Sequence, residues 1–160
     1  MTKPKFLKDN NGTPYSVYPP QTYLTFYFWI YLVPQYKPKN VLILGFALGT
    51  VAGLIRLLWG EDIPITAVDI NKCEVKYPNV EFIQADAKRF VKTSSEFDCV
   101  IVDLFETDDS EPCDFVGSEE FVADLARISN YLIVNSLHTD MTNYRKRFRK
   151  IGINKASERS

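Results

Sequence analysis

Five short apolar runs recur along the chain, with segments of helical periodicity between them. Val41–Leu44 (VLIL) is continuous, as expected of a strand buried on both faces. It ends in Gly45-Phe46-Ala47-Leu48-Gly49-Thr50, after which Val51, Leu54, Ile55 and Leu58 repeat at helical spacing as far as a C-capping Gly60. Pro64–Ile70 (PITAVDI), Val80–Gln84 (VEFIQ), Cys99–Val102 (CVIV) and Tyr131–Asn135 (YLIVN) predict four more strands. Pro78 leaves room for a helical turn or two before the third of the five. Ser118 reads as an N-cap with Glu119 and Glu120 in the first turn, and Phe121, Leu125 and Ile128 supply that helix's apolar stripe. A last helix is expected from about Asp140 to Lys150, closed near Gly152. Strands alternating with helices predict an α/β fold: a Rossmann-like, doubly wound, mostly parallel sheet of about five strands, in the order 3-2-1-4-5.

The remaining segments attach to this 41–136 core. Residues 1–19 are polar and rich in Lys, Asn, Gly and Pro, and are expected to form an irregular arm. Pro19 and Pro20 open an aromatic helix over 20–33, in which Tyr23–Val33 (YLTFYFWIYLV) is too short to span a bilayer. Residues 137–160 hold the final helix and a tail. At 160 residues, 46% hydrophobic and 24% charged, the chain is expected to be one globular domain, neither disordered nor fibrous. Its net charge of −1 gives no bias toward nucleic acid or an anionic membrane. Cys73, Cys99 and Cys113 form no CxxC pair and His138 is the sole histidine, so no metal site is expected. With no secretory leader read at the N-terminus, a cytoplasmic setting is expected.

Chemistry enters at the strand ends. In an open α/β sheet the ligand crevice lies beyond the carboxyl ends of the strands, at the topological switch point. Asp69, Asp86 and Asp103 end or follow three of the five strands, and the glycine turn ends a fourth. Gly45 and Gly49 allow close backbone approach and feed a helix N-terminus, whose amides favour a negative group. Asp69 is placed to accept from a ribose diol, Asp86 from an adenine amino group with Ala87 leaving room for the ring, and Asp103 to orient a nucleophile. Any one of these is commonly structural, since glycine turns follow many strands and aspartates cap many helices. Their coincidence at one edge points to a nucleoside. A dinucleotide fingerprint would need glycine at 47 and 50, where Ala47 and Thr50 stand, whereas Gly45-x-Ala47-x-Gly49 fits a G-x-G-x-G turn with one glycine replaced.

VLILGFALGT (41–50), ITAVDI (65–70), VEFIQADAKRF (80–90) and FDCVIVDLFE (97–106), in this order and spacing, resemble the spermidine synthase branch of the class I S-adenosylmethionine (SAM)-dependent methyltransferase fold. The resemblance runs from about Pro20 to Ser136, roughly three quarters of the chain. It implies that SAM or decarboxylated SAM is bound. Gly45, Ala47 and Gly49 would face its amino-acid part, Asp69 the ribose, and Asp86 and Ala87 the adenine, with Thr50, Ile70 and Leu104 adjoining them. Asp103 matches the carboxylate that helps bind and deprotonate an attacking amine, and Tyr27 and Gln21 match a tyrosine and a glutamine that the helix before the first strand supplies. The chain departs from the family in three places. The loop after Asp103 reads Leu104-Phe105-Glu106 instead of a DSSDP-like run. The N-terminal β-domain is absent or reduced to the arm. No counterpart of the usual C-terminal strand pair is expected, which would leave the fifth strand as a sheet edge open to homodimerisation or to cover by the arm.

Charge adds one feature. Glu96 to Asp124 contains eleven acidic residues and no Lys, Arg or His, a field that would draw a cationic acceptor such as a polyamine or, more simply, a solvated loop. Arg145, Lys146, Arg147, Arg149 and Lys150 make the last helix basic, as suits a helix C-terminus. His138 is expected near the crevice without a role that follows from its position. The functions carried forward are methyl or aminopropyl transfer from a sulfonium cofactor, a non-catalytic nucleoside-binding module, and a SAM-cleaving enzyme.

Overall fold

Alternate residues of Val41–Leu44 face opposite ways, and both faces are covered. In the computed structural model, whose described residues are 3–19, 28–106, 111–148 and 151–153, all four side chains of this strand are fully buried. Val41 and Ile43 join a core with Trp29, Leu32, Leu54 and Ile55. Leu42 and Leu44 join one with Val91, Phe121, Leu125 and Tyr144. A strand with no solvent face has no polar alternation, hence the continuous apolar run.

This strand, β3 (Val41–Leu44), is central in a parallel sheet. With β4 (Ile65–Asp69), β5 (Val80–Gln84), β6 (Phe97–Val102) and β7 (Ser129–Val134) it forms the order β5-β4-β3-β6-β7, the expected 3-2-1-4-5. Helix α1 (Thr50–Trp59) covers one face, and α2 (Ala87–Thr93), α3 (Glu119–Ile128) and α4 (Thr142–Arg147) contribute to the core on the other. The chain winds outward from β3 through β4 to β5 and then crosses back to β6, so the switch point lies at the carboxyl ends of β3 and β6, with β4 flanking it.

Several details differ from the sequence expectations. A sixth strand, β8 (Ile151–Ile153), pairs in parallel with β7, so the fifth core strand is not the edge and the argument for a dimer across it loses its basis. The arm is not irregular: β1 (Lys5–Lys8) and β2 (Pro14–Tyr18) form an antiparallel hairpin. Asp9 Oδ1 closes its turn by accepting from the amides of Asn11 and Thr13, at 2.8 and 2.9 Å, and Gly12 takes a φ of 80°. The expected helix over 20–33 is, in its described part, a 3-10 helix at Phe28–Leu32. Tyr27 and Gln21 lie outside the described residues. No helix of the described residues is long and apolar enough to cross a membrane.

Two arginines lock the ends of this scaffold away from the crevice. Arg56 donates to the carbonyls of Gly60, Ile63, Pro78 and Asn79, tying the end of α1 to the starts of β4 and β5. Arg127 donates to the carbonyls of Val91, Lys92 and Ser94 at the end of α2. The planar, multidentate guanidinium suits such clusters of orphan carbonyls.

Candidate functional site

The glycine turn alternates its backbone hand. Gly45, Ala47 and Gly49 have φ of 89°, 49° and 70°, so three positions two apart are left-handed. The G-x-G-x-G spacing therefore encodes conformation, and the alanine at 47 holds a geometry that a Cβ disfavours. Gly45 is required for a second reason: a Cβ there would lie 2.0 Å from the Asp103 carbonyl oxygen. At Gly49 a Cβ would meet the rings of Phe46 and Tyr77, each at 2.6 Å.

Each amide of the turn from 45 to 49 has a partner within the chain. Gly45 N donates to Val68 O and Gly49 N to Phe46 O. Phe46 N and Ala47 N both donate to Asp69 Oδ2, at 2.7 and 3.0 Å. Leu48 N donates to Ser16 Oγ at 3.0 Å, across 32 residues of sequence. The turn thus does not offer these amides to an anionic group, contrary to the expectation drawn from its position at a helix N-terminus. Thr50 is also turned away from the crevice. It is 3% exposed, and its Oγ1 bonds to both Val17 backbone groups and to Ser16 Oγ.

Asp69 is half-buried beneath the turn, and besides the two turn amides it takes the Asn71 amide on Oδ1, at 2.9 Å. A carboxylate accepts about four hydrogen bonds, so among the described residues one acceptor direction, on Oδ1, is left open. Ile70, next along, is 68% exposed, an apolar side chain at the crevice edge. Asp86 caps α2 through Lys88 N at 2.8 Å, and Ala87 is buried in the core beside it. Asp86 thus serves as a helix cap, as an aspartate following a strand commonly does. Its other oxygen and the exposed position leave it able to accept from a base.

Asp103, just past the end of β6, is tied by Asn135. Asn135 Nδ2 donates to Asp103 Oδ1 at 3.0 Å. Its own Oδ1 accepts from Leu137 N at 3.3 Å, which fixes the amide's orientation. Among the described residues Asp103 Oδ2 accepts no hydrogen bond. Burial pushes the Asp103 carboxyl up to about 6; the bond from Asn135 opposes the rise, and the charge of Asp69 adds to it. The charge of Asp69 thus reaches Asp103 across the switch point, and Asp103 is poised to exchange a proton near neutral pH. Leu104 packs into the core below.

Two contacts join the described residues on either side of 107–110 in the acidic stretch. Phe105 and Pro112 form an antiparallel bridge, and Glu106 N donates to Glu111 O at 2.7 Å. Beyond it a cleft of about 490 Å³ is lined by Glu111, Cys113, Asp114, Ser118, His138 and Asp140. His138 Nδ1 lies 3.2 Å from Glu111 Oε1 and so bridges the two loops at the cleft. Among the described residues no group of three or more His, Cys, Asp or Glu is arranged to hold a metal ion.

Ser16, Tyr77 and Asn135 belong to this site without having been singled out from sequence. Tyr77 donates its hydroxyl to Leu48 O at 3.3 Å and packs edge-on against Tyr18 and Phe46. Nothing local in the sequence distinguishes it. Asn135 carried a weak signal, as a polar residue ending an apolar strand at the ligand edge. No family model, curated protein or solved structure matches the chain.

Proposed function

We propose that this is a sulfonium-nucleoside-binding domain, a transferase of the methyltransferase and spermidine synthase-like class, moving a methyl or aminopropyl group from SAM or decarboxylated SAM to an amine-type small molecule. The observation that carries the reading is the pair Asp69 and Asp103 at the switch point, beside a glycine turn whose amides are all engaged. A pyrophosphate needs free amides or cations at the turn. Carboxylates with engaged amides instead favour a neutral or cationic ligand, and a sulfonium nucleoside is both a nucleoside and a cation. The residues fit such a group: Asp69 Oδ1 for a ribose hydroxyl, Ile70 against the base, Asp86 for its amino group, and the turn backbone against the chain bearing the sulfonium.

When bound, the sulfonium supplies a carbon already activated toward attack. The protein's share is alignment and charge. Asp103 Oδ2 is placed to accept a hydrogen bond from an incoming amine and to take its proton, and a carboxyl near pKa 6 is matched to that task at neutral pH. Asn135 takes one of the two acceptor directions of Oδ1, which makes Oδ2 the more open oxygen for the amine. The acidic cleft around Glu111, Asp114 and Asp140 would raise the local concentration of a cationic acceptor.

A second reading is a non-catalytic nucleoside-binding module, favoured by Asp69 and Asp86 each holding the protein's own amides. Asp103→Asn separates the two. The transferase reading expects nucleoside affinity within about twofold of wild type and turnover with amine acceptors reduced at least about a hundredfold, in the range general-base loss produces. Equal turnover of Asp103→Asn and wild type would contradict the assigned role of Asp103, and wild-type binding without turnover on any amine would leave the module.

A further inference from the structure

The hydrogen bonds between the N-terminal hairpin and the glycine turn form a closed set. Thr50 Oγ1 donates to Val17 O at 2.9 Å, which uses its one proton. It accepts from Val17 N at 2.8 Å. The contact between Ser16 Oγ and Thr50 Oγ1, at 2.9 Å, must then be donated by Ser16, which in turn accepts from Leu48 N. Both hydroxyls are buried, at 2% and 3% exposure, so water does not substitute for either partner. Tyr77, stacked edge-on against Tyr18 of the same strand, fastens the Leu48 carbonyl.

The turn needs such a fastening. Ala47 sits in the left-handed region, where a Cβ disfavours it, and of the amides of the turn only that of Leu48 is held from outside the β3–β4 unit. We propose that Ser16 and Thr50 are positioning residues: through them the hairpin holds the glycine turn in its alternating left-handed conformation, so that the shape of the nucleoside site is set by residues 14–18. The consequence for ligand binding rests on the reading above. The conformational claim does not, because it concerns the free protein.

Amide hydrogen exchange on the full chain tests it. In the wild type, Leu48 and Val17 amides are expected to exchange with matching protection, as one opening unit. Ser16→Ala and Thr50→Val are each expected to speed Leu48 exchange about tenfold or more, with Val100 and Ile101 of β6 unchanged, while Thr50→Ser stays near wild type. Affinity for methylthioadenosine should fall in the same two variants and recover in Thr50→Ser. Fast Leu48 exchange beside a protected Val17 in the wild type would overturn the proposal even if no variant folds. So would unchanged Leu48 exchange in both variants, or an equal rise in β6, which would mark a global loss of stability. If the wild type does not bind methylthioadenosine, the functional reading fails, and the exchange data still decide the role of the hairpin.

Discussion

Asn135 donates its side-chain amide to Asp103 across the ends of β7 and β6, at 3.0 Å, and this bond is what a partly buried carboxylate at the switch point has to offset its lost hydration. Asn135 is itself 4% exposed, so the pair is a built feature of the core's rim.

That environment makes Asp103 a source of pH-dependent instability. Its carboxyl is raised from an ordinary 3.8 to about 6, so between these values the folded state holds the proton more firmly than the unfolded one. Stability from this group is fully present below about pH 4 and is lost as pH rises through about 6, an effect of about 2–3 kcal/mol. Asp103→Asn should therefore be more stable than wild type at pH 7 by about that amount, with the difference vanishing near pH 4. Urea unfolding at pH 4, 5, 6 and 7 measures it. A difference independent of pH would show that burial does not perturb Asp103.

Ala47→Gly should stabilise the protein by about 1 kcal/mol, since alanine at a φ of 49° bears a strain glycine lacks, less glycine's larger unfolded entropy. The amide bonds of the turn to Asp69 and Ser16 are unaffected by the change. Thermal unfolding reads this directly. A lower melting temperature in Ala47→Gly would mean that the turn is not left-handed at this position.

Gly45→Ala and Gly49→Ala should differ in severity. At 45 the added methyl meets backbone, the Asp103 carbonyl oxygen at 2.0 Å, and β3 or β6 must shift. At 49 it meets the rings of Phe46 and Tyr77, and Tyr77 is part-exposed and able to move. The expected losses are about 3 kcal/mol or more at 45 and about 1–3 kcal/mol at 49. Chemical denaturation of the two variants compares them, and an equal or reversed order would contradict the close approach of β3's turn to Asp103.

The sheet was legible because its strands are buried on both faces: VLIL, CVIV and YLIV leave little room for another reading, and the helix stripes between them set the winding. Gly60 and Ser118 capped where their residue types suggest. The hairpin was missed although Asn11-Gly12, between the alternating KFLK and PYSVY, is a strong turn signal; the prolines and lysines around it read as an arm. The strand β8 is three residues long with a glycine at its centre, too short to declare a period. In the site, sequence located the carboxylates but not their partners. That Asp69 serves the turn amides and that Ser16 reaches Leu48 are consequences of packing across 22 to 32 residues, which no local pattern encodes.

The most direct measurement of the central claim is calorimetric titration of the full chain with SAM, decarboxylated SAM, methylthioadenosine and, as the phosphate-bearing control, NAD. Saturable binding of at least one sulfonium or thioether nucleoside, lost in Asp69→Ala, is expected, with no heat from NAD. Binding of NAD in preference to all three, or no heat with any of the four, would contradict it.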